Sequence, residues 1–182
     1  MTTLRQVLAA ALSLTALGLG GCGGGEPLAC AQLPGEPVRV AESAHIPYVA
    51  AEHDPYTSTP PTSGAHVPFT IAPGAYRDTI PDALQVHALE HGHVLIQYAP
   101  RGGERARERM EEFARRYPRD VVVAPNATVR RGVALTAWGR IQRVGIDDGE
   151  RITRFVEALA GRYEHGWQDG ARPCGAVEAG GA

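Results

Sequence analysis

The chain has 182 residues, with 20 acidic and 18 basic side chains, a formal net charge of −2 and 43% hydrophobic residues. This balance excludes a strongly basic nucleic-acid-binding protein and fits one globular domain. All the basic residues are arginine, which excludes a lysine Schiff base or a phosphate-loop lysine, and three cysteines are too few for a four-cysteine zinc site.

Residues 1–21 have the pattern of a bacterial lipoprotein signal peptide. Arg5 supplies positive charge, and the apolar run Val7–Leu19 is too short to span a membrane. The sequence Leu19-Gly20-Gly21-Cys22 resembles a lipobox, so we predict cleavage before Cys22 and acylation of its new N-terminus. An ordinary signal peptide with an incidental cysteine is the alternative. The predicted location is the cell envelope, with a lipid anchor in a membrane on its extracytoplasmic side.

The remaining chain divides into three predicted parts. Residues 22–37 form a Gly/Pro-rich tether, residues 38–175 a single globular domain and residues 176–182 a flexible C-terminal tail. Cys30 and Cys174 lie near the two ends of the folded part. Outside the cytoplasm an isolated pair of cysteines favours a disulfide, and two unpaired thiols are the alternative.

Residues 31–81 are rich in proline and lack sustained hydrophobic periodicity. Val38–Val40 and His45–Ala50 are predicted to be short extended segments. Thr57–Gly64 is predicted to form turns, because Pro fixes φ and Gly and Ser favour turns. Aromatic side chains along this segment can anchor it, so we expect an ordered arm rather than a disordered one.

Residues 82–164 have regular patterns that predict helices and strands. Apolar side chains in Glu104–Tyr117 recur at helical spacing, and the apolar run at 94–98 is typical of a buried strand. Asp147 and Glu150 resemble a capping box. The predicted elements are, in chain order, a helix over Asp82–His91, a strand over Val94–Tyr98, a helix over Glu104–Tyr117, a strand over Asp120–Ala124, a hairpin of Val133–Trp138 and Ile141–Ile146 turning at Gly139-Arg140, and a helix ending near Tyr163.

The predicted core order, β-α-β-β-α, indicates a single domain of the α+β class with the Pro-rich N-terminal arm packed on it. A mixed-sheet α/β fold of thioredoxin-like order is the alternative. The sequence has no C-x-x-C motif, so it does not indicate thioredoxin-type activity.

Histidines are concentrated in one part of the chain, because six of the seven lie between residues 45 and 93. His87, Glu90 and His91 fall at i, i+3 and i+4, on one face of the predicted helix. Imidazoles four residues apart on a helix can reach one metal ion. His66 follows a Pro-rich turn, which can hold its ring in place.

This pattern predicts a site for a divalent transition metal, copper or zinc, with His66, His87 and His91 as ligands and His45 as a candidate fourth. Glu90 is either a further ligand or an acceptor that fixes one imidazole tautomer. For His66, His87 and His91 the alternative is a hydrogen-bonded structural role. His53 and His165 are predicted to be solvated side chains without a role.

His87-Ala88-Leu89-Glu90-His91 also matches H-x-x-E-H, the zinc motif of one class of peptidase, in which the Glu activates the attacking water. The downstream Glu that completes such a site is Glu157 or Glu164 in this chain. The predicted helix is short and the chain small for that class. A hydrolase with Glu90 as general base is therefore an alternative.

Four motifs occur in this order along the chain: Pro60-Pro61-Thr62-Ser63-Gly64-Ala65-His66, Gly74-Ala75-Tyr76, Val86-His87-Ala88-Leu89-Glu90-His91-Gly92 and Ala134-Leu135-Thr136-Ala137-Trp138-Gly139-Arg140. Together they resemble a bacterial family called domain of unknown function 3105. The resemblance covers roughly residues 40–165 and implies a secreted or membrane-anchored protein, in agreement with the lipobox. It carries the family's pattern onto His66, His87, Glu90 and His91, and extends to His45.

The function predicted from the sequence is that of a cell-envelope lipoprotein that binds a divalent transition metal and has no catalytic residue. The membrane, reached through the lipid anchor, is the predicted partner, and nucleic acid is not. A metal-dependent hydrolase is one alternative. A structural or partner-binding lipoprotein without metal is the other.

Overall fold

The computed structural model describes residues 32–168. Three α-helices and six β-strands follow one another along this part of the chain. They are β1 (Glu36–Pro37), β2 (Gly74–Ala75), α1 (Asp82–Glu90), β3 (Val94–Tyr98), α2 (Gly103–Arg116), β4 (Val121–Pro125), β5 (Val133–Ala137), β6 (Arg140–Val144) and α3 (Gly149–Leu159).

The strands form one mixed sheet in the order β1-β6-β5-β3-β4-β2. β3 and β4 are parallel, with Ile96 opposite Val123, and α2 connects them. β5 is antiparallel to β3 and forms a hairpin with β6. The two-residue strands β1 and β2 lie at the edges, antiparallel to β6 and parallel to β4 respectively.

Helices cover both faces of the sheet. Val94, Ile96 and Tyr98 of β3 contribute to the larger core, which also contains the apolar sides of α2 and α3. Leu95, between them in sequence, contributes to a second core with α1 and Trp138. This alternation follows from the two-residue period of a strand, and burial on both faces explains the continuous apolar run of β3.

Helix α1 is buried on most of its surface, including three polar side chains. Gln85 satisfies part of its amide by donating to the carbonyl of Ile80 at 2.5 Å. The other two are His87 and Glu90. Buried polar groups require partners. The groups around His87 and Glu90 therefore determine the chemistry of this face of the molecule.

The N-terminal arm, residues 38–81, packs against the same side of the sheet as α1. Tyr56 and Tyr76 pack on the α1-side core, and Tyr56 donates to the carbonyl of Ala65 at 2.9 Å. Thr62 and Ser63 are fully buried. The expectation of an ordered arm packed on the core is therefore confirmed.

The α+β class predicted from the sequence is confirmed, with four differences in detail. The predicted hairpin strands are present as β5 and β6, so the core order counted strand by strand is β-α-β-β-β-α rather than β-α-β-β-α. The two edge strands were not predicted, and neither Val38–Val40 nor His45–Ala50 forms a strand; of these residues only His45 makes a β-bridge. The hairpin turns at Trp138-Gly139 rather than at Gly139-Arg140. Thioredoxin-like order is not confirmed.

The last helix was predicted to end near Tyr163, but it ends at Leu159. Ala160 has extended φ and ψ of −59° and 132°, and Gly161 has a φ of +69°. A glycine with positive φ at this position is a common helix stop. Beyond it, Tyr163 stacks on Trp138, with ring centroids 4.5 Å apart and planes 10° apart. This loop, residues 160–168, returns to the end of α1.

The predicted signal peptide, Cys22, and the predicted Cys30–Cys174 pair all lie outside the described residues. Residues 33–37, which the sequence assigns to the tether, lie against the sheet, and Leu33 is buried in the larger core. Between residues 32 and 168, no helix has the length and apolar character needed to cross a membrane.

Candidate metal centre

His45 and His66 are held together by the backbone of the N-terminal arm. They form an isolated parallel β-bridge, in which the Ile46 amide donates to the His66 carbonyl at 2.8 Å and the His66 amide donates to the Ala44 carbonyl at 3.0 Å. The two imidazole rings meet edge to face with centroids 4.9 Å apart. The arm therefore places the imidazoles of His45 and His66 next to each other.

The His66 ring is fully buried, and its tautomer follows from its contacts. Nδ1 lies 2.9 Å from the carbonyl oxygen of Gly64, which can only accept, so Nδ1 carries a proton. In the neutral ring Nε2 is then a lone-pair acceptor. A histidine whose Nδ1–H donates to a backbone carbonyl has the arrangement common among metal ligands.

Nε2 of His66 faces Glu90 of α1, with Oε2 3.0 Å away. Neither atom has a hydrogen-bond partner among the described residues. Two acceptors at this distance in the interior repel each other unless a proton or a metal ion lies between them. This contact is the main chemical feature of the site.

The other oxygen of Glu90 is firmly held. Ser43 of the arm donates to Oε1 at 2.5 Å. Burial alone would raise the pKa of Glu90, but this hydrogen bond and the neighbouring His66, His165 and His87 together keep its pKa below the ordinary value. Glu90 is therefore a carboxylate at neutral pH and supplies negative charge to the site.

His87 lies one turn before Glu90 on α1, as the i, i+3 spacing requires. Burial, reinforced by His66 and His91, lowers the pKa of His87 to about 4. Its ring is therefore neutral at pH 7. Nδ1 of His87 is buried without a hydrogen-bond partner, and Nε2 lies 3.2 Å from Nε2 of His91.

Together, the side chains of His45, His66, His87 and Glu90 place one ligand atom each within 4.8 Å of one another, and we call this group the inner cluster. The first of these is exposed and the other three are buried. Three imidazoles and one carboxylate form a ligand set that suits zinc or copper. The site thus has the chemical composition of a four-ligand metal centre with one edge at the surface.

His91 is directed differently from the other predicted ligands. Its Nδ1 donates to Glu164 Oε1 at 2.8 Å, and its Nε2 faces His87. Glu164 and His165 belong to the loop that follows α3. We call His91, Glu164 and His165 the outer cluster, because all three are at least partly exposed and their ligand atoms also lie within 4.8 Å of one another.

The structure thus brings together four of the five predicted ligands and places the fifth, His91, at their border. Sequence analysis did not identify Ser43, and an isolated serine in a loop carries no signal of its role. It also treated His165 as a side chain without a role. His165 is exposed, as expected, but its Nδ1 lies 3.5 Å from Glu90 Oε2. His53 is exposed and belongs to neither cluster, and its Nδ1 contacts the Asp54 carbonyl.

The fold and this site define a single-domain α+β protein with a buried cluster of histidines and a glutamate between an N-terminal arm and a short helix. The chain matches the model of the family described as "Protein of unknown function (DUF3105)" over residues 50–173, more than half of its length, and it belongs to that family. The matched range contains all residues of both clusters except His45, which lies just before it. No curated protein and no solved structure matches the chain.

Proposed function

We propose that this protein is a lipid-anchored protein of the bacterial cell envelope that binds one divalent transition-metal ion, copper(II) or zinc, in the inner cluster. The proposed ligands are His66, His87 and Glu90, with His45 completing the set at the surface. His91, which the sequence also suggested as a ligand, contacts His87 instead and acts on its tautomer.

The observation that carries this proposal is the contact between His66 Nε2 and Glu90 Oε2. The Gly64 carbonyl fixes the proton of His66 on Nδ1, so two acceptor atoms face each other at 3.0 Å in the interior. A metal ion that binds both atoms removes this repulsion and satisfies both groups. A second proton on His66 would also remove it, which is the structural alternative.

The neutral state of His87 supports a metal ion, rather than a proton, between His66 and Glu90. With a pKa of about 4, its ring is neutral at physiological pH and needs no deprotonation to bind metal. Glu164 accepts from His91 Nδ1, so the neutral His91 ring presents Nε2 as an acceptor to His87 Nε2–H. This series of hydrogen bonds leaves the unpartnered Nδ1 of His87 as the lone-pair donor to an ion.

A thioether-rich copper(I) site is not supported by the described residues. Met110, the methionine among them, is fully buried in the core beneath α2, on the opposite face of the sheet from α1. Imidazole and carboxylate ligands suit copper(II) and zinc. Zinc–nitrogen distances of about 2.0–2.1 Å are expected if zinc is bound.

The direct test is calorimetry with copper(II) and zinc on the full-length chain, matured in a bacterial envelope, purified in detergent and free of any His tag. We expect the first ion to bind saturably, with an affinity tighter than micromolar. His66→Gln and His87→Gln should each weaken binding by about 100-fold or more, since each removes a ligand. His53→Gln, a change of the same type at an exposed histidine, should leave binding unchanged.

The structural alternative makes a different prediction for the same experiment. If His66 is protonated and pairs with Glu90, no tight ion binds, and His66→Gln reduces only the free energy of unfolding. Comparable metal affinity in wild type, His66→Gln and His87→Gln would also contradict the proposal, because the bound ion would then lie elsewhere.

A hydrolase is supported less well by the geometry. Glu164 is adjacent to His91, as a downstream acidic residue would be in an H-x-x-E-H site. However, Glu90, the residue that would activate water, is buried, with one oxygen bonded to Ser43 and the other facing His66. We therefore propose metal binding without a catalytic role for Glu90.

The envelope location is proposed from Cys22 and the residues before it. Wild-type protein should incorporate radiolabelled or alkyne-tagged fatty acid and partition into detergent. Cys22→Ala should abolish labelling, whereas Cys30→Ala should not. A wild-type protein that is unlabelled, with an N-terminus other than residue 22, would contradict this part of the proposal and leave the metal site to be judged separately.

A further inference from the structure

The outer cluster joins two parts of the chain that are far apart in sequence. His91 ends α1, and Glu164 and His165 lie in the loop after α3. Glu164 Oε1 lies 2.8 Å from His91 Nδ1 and 3.7 Å from His165 Nε2. The two imidazole rings meet edge to face with centroids 4.6 Å apart. The carboxylate thus lies between the nitrogens of two imidazoles.

The backbone holds this loop against the end of α1. The Gly161 amide donates to the Gly92 carbonyl at 2.9 Å, and the His165 amide donates to the Glu90 carbonyl at 3.1 Å. Tyr163, between these two points, stacks on Trp138 in the turn between β5 and β6. The ligand atoms of the outer cluster are therefore brought together by the fold, not by chance contact of long surface side chains.

His165 has a φ of +49° and is the non-glycine residue with positive φ among the described residues. This conformation is uncommon for a residue with a side chain and costs free energy. An exposed ion pair contributes little, and the side chains of His165 and Glu164 are 55% and 50% exposed. The surface ion pairs therefore do no more than offset the cost of placing the His165 ring here.

Two imidazoles and one carboxylate form the ligand set of open zinc sites, in which solvent or an added ligand takes the remaining positions. We propose that the outer cluster is a second site for a divalent transition metal, with His91, Glu164 and His165 as ligands. Its exposure makes it accessible to metal complexes in solution, whereas the inner cluster is mostly buried. This site goes beyond the single ion of the proposed function.

The two sites communicate through two contacts. His91 Nε2 lies 3.2 Å from His87 Nε2, and His165 Nδ1 lies 3.5 Å from Glu90 Oε2. When a metal binds Nδ1 of His91, the ring proton lies on Nε2 of His91. It then faces the Nε2–H of His87, and this disfavours the His87 tautomer whose Nδ1 binds the inner ion. Two doubly charged cations also repel each other. The ions therefore bind in two steps, with the buried four-ligand site filling first and the exposed three-ligand site second.

The test is equilibrium dialysis of the untagged full-length protein in detergent against zinc chloride or copper(II) chloride, with bound metal counted per chain. Glu164→Gln combined with His165→Asn removes two outer ligands. Asn tolerates the left-handed conformation at residue 165, so the fold is retained. Glu157→Gln, a matched change at an exposed carboxylate of α3, is the control. His66→Gln removes a buried inner ligand, and His45→Ala removes an exposed one.

We expect two ions per chain in wild type and in Glu157→Gln, and one in the outer double variant and in the inner variants. One ion in wild type that persists in the outer double variant overturns the second site and leaves the proposed function intact. One ion that is lost in the outer double variant but kept in His66→Gln overturns the inner site and leaves the outer one. No bound ion in wild type overturns both.

Discussion

At the scale of single residues, the site depends on how the protein controls protons on a few side chains. The Gly64 carbonyl fixes the His66 tautomer, Ser43 holds one oxygen of Glu90, and burial keeps His87 neutral. Each of these contacts favours lone pairs pointing into the inner cluster. In the absence of a bound ion the stability of this cluster should therefore depend on pH, and His87 gives the clearest case.

The first prediction concerns His87 in the metal-free protein. Its pKa is about 4 in the folded chain, against about 6.5 when unfolded. Between these values the unfolded state takes up a proton that the folded state does not. The free energy of unfolding should therefore fall as pH decreases from about 6.5 to about 4, by on the order of 2–3 kcal/mol. Urea unfolding in the presence of a chelator measures this loss.

His87→Gln provides the comparison, because it removes the titrating group from the same position. The difference in unfolding free energy between wild type and His87→Gln should shrink by that amount across the same pH range. His53→Gln, at an exposed histidine, should keep the wild-type slope. Parallel pH profiles for wild type and His87→Gln would show that His87 is not held neutral by the fold.

At the scale of elements, three segments meet at the site: the arm before α1, the end of α1, and the loop after α3. The sequence predicted α1, β3 and α2 to within one residue at each end, because their apolar patterns or a following glycine define them locally. It did not predict β1 and β2, because two residues carry no periodicity. The early end of α3 coincides with Gly161, a local glycine stop that the prediction passed over, whereas the stacking of Tyr163 on Trp138 beyond it is a long-range contact.

The same distinction applies to the candidate site. His87 and Glu90 were predicted to share a face because helical spacing is local, and the structure places them together. The clustering of histidines in sequence also indicated His45 and His66, although it did not indicate their β-bridge. Glu164 was suggested only as a partner in a hydrolase motif, and the position of His165 beside Glu90 depends on a loop returning across more than 70 residues. Contacts at that separation are not encoded in any short pattern.

The second prediction tests the junction between α1 and this loop. Gly92 has a φ of +78°, and a Cβ there would lie 2.5 Å from the Tyr163 carbonyl oxygen and 3.1 Å from Gly161 Cα. Gly92→Ala should lower the free energy of unfolding by about 2–4 kcal/mol, through backbone strain and overpacking together. It should also displace Glu164 and His165 from His91. Urea unfolding at constant m-value measures the first effect, and metal dialysis the second.

Gly166→Ala is the matched control in the same loop. Gly166 lacks the unusual positive φ, and a Cβ there would meet no atom within 4 Å. This change should alter the free energy of unfolding by less than about 0.5 kcal/mol. If Gly92→Ala were equally mild, the loop would not be held against α1 as closely as the backbone contacts indicate.

The third prediction concerns Arg140, which connects the start of the described chain to β6. Its buried guanidinium donates to the carbonyls of Leu33, Pro34 and Gly35 at 2.7–3.0 Å. Lysine has a single ammonium group and does not reproduce this planar set of donors. Arg140→Lys should lower the free energy of unfolding by about 2–4 kcal/mol, because buried carbonyls lose charged donors. Urea unfolding measures it.

Arg130→Lys is the matched control, because Arg130 is exposed and its replacement keeps the charge. It should change the free energy of unfolding by less than about 0.5 kcal/mol. A loss in Arg140→Lys no larger than in this control would mean that residues 33–35 are held by the packing of Leu33 alone.

At the scale of the whole molecule, the site lies on the face of the sheet formed by the arm and α1, while α2 and α3 cover the other face with the larger core. This division separates the larger core from the candidate metal site. Substitutions in the larger core should affect the free energy of unfolding without changing ligand identity. The arm, in contrast, supplies His45, His66 and Ser43, so its attachment to the sheet bears directly on the site.

The last prediction concerns the two ends of the folded part. Cys30 precedes the described residues by two positions and Cys174 follows them by six. If Cys22 is acylated and the protein lies in the envelope, as proposed, Cys30 and Cys174 are the remaining cysteines in an oxidising compartment, so we predict a disulfide between them. Closing a loop this long removes entropy from the unfolded chain, and stabilises the fold by about 4–5 kcal/mol at most. Because the Arg140 contacts already hold residues 33–35, the gain should be smaller than this limit.

Mass spectrometry of unreduced peptides from envelope-matured protein should identify the linked pair. Cys30→Ser, Cys174→Ser and the double variant should all lower the midpoint of urea unfolding equally. Alkylation of both thiols without prior reduction would refute the bridge, and unequal effects of the two single variants would assign their roles to packing instead.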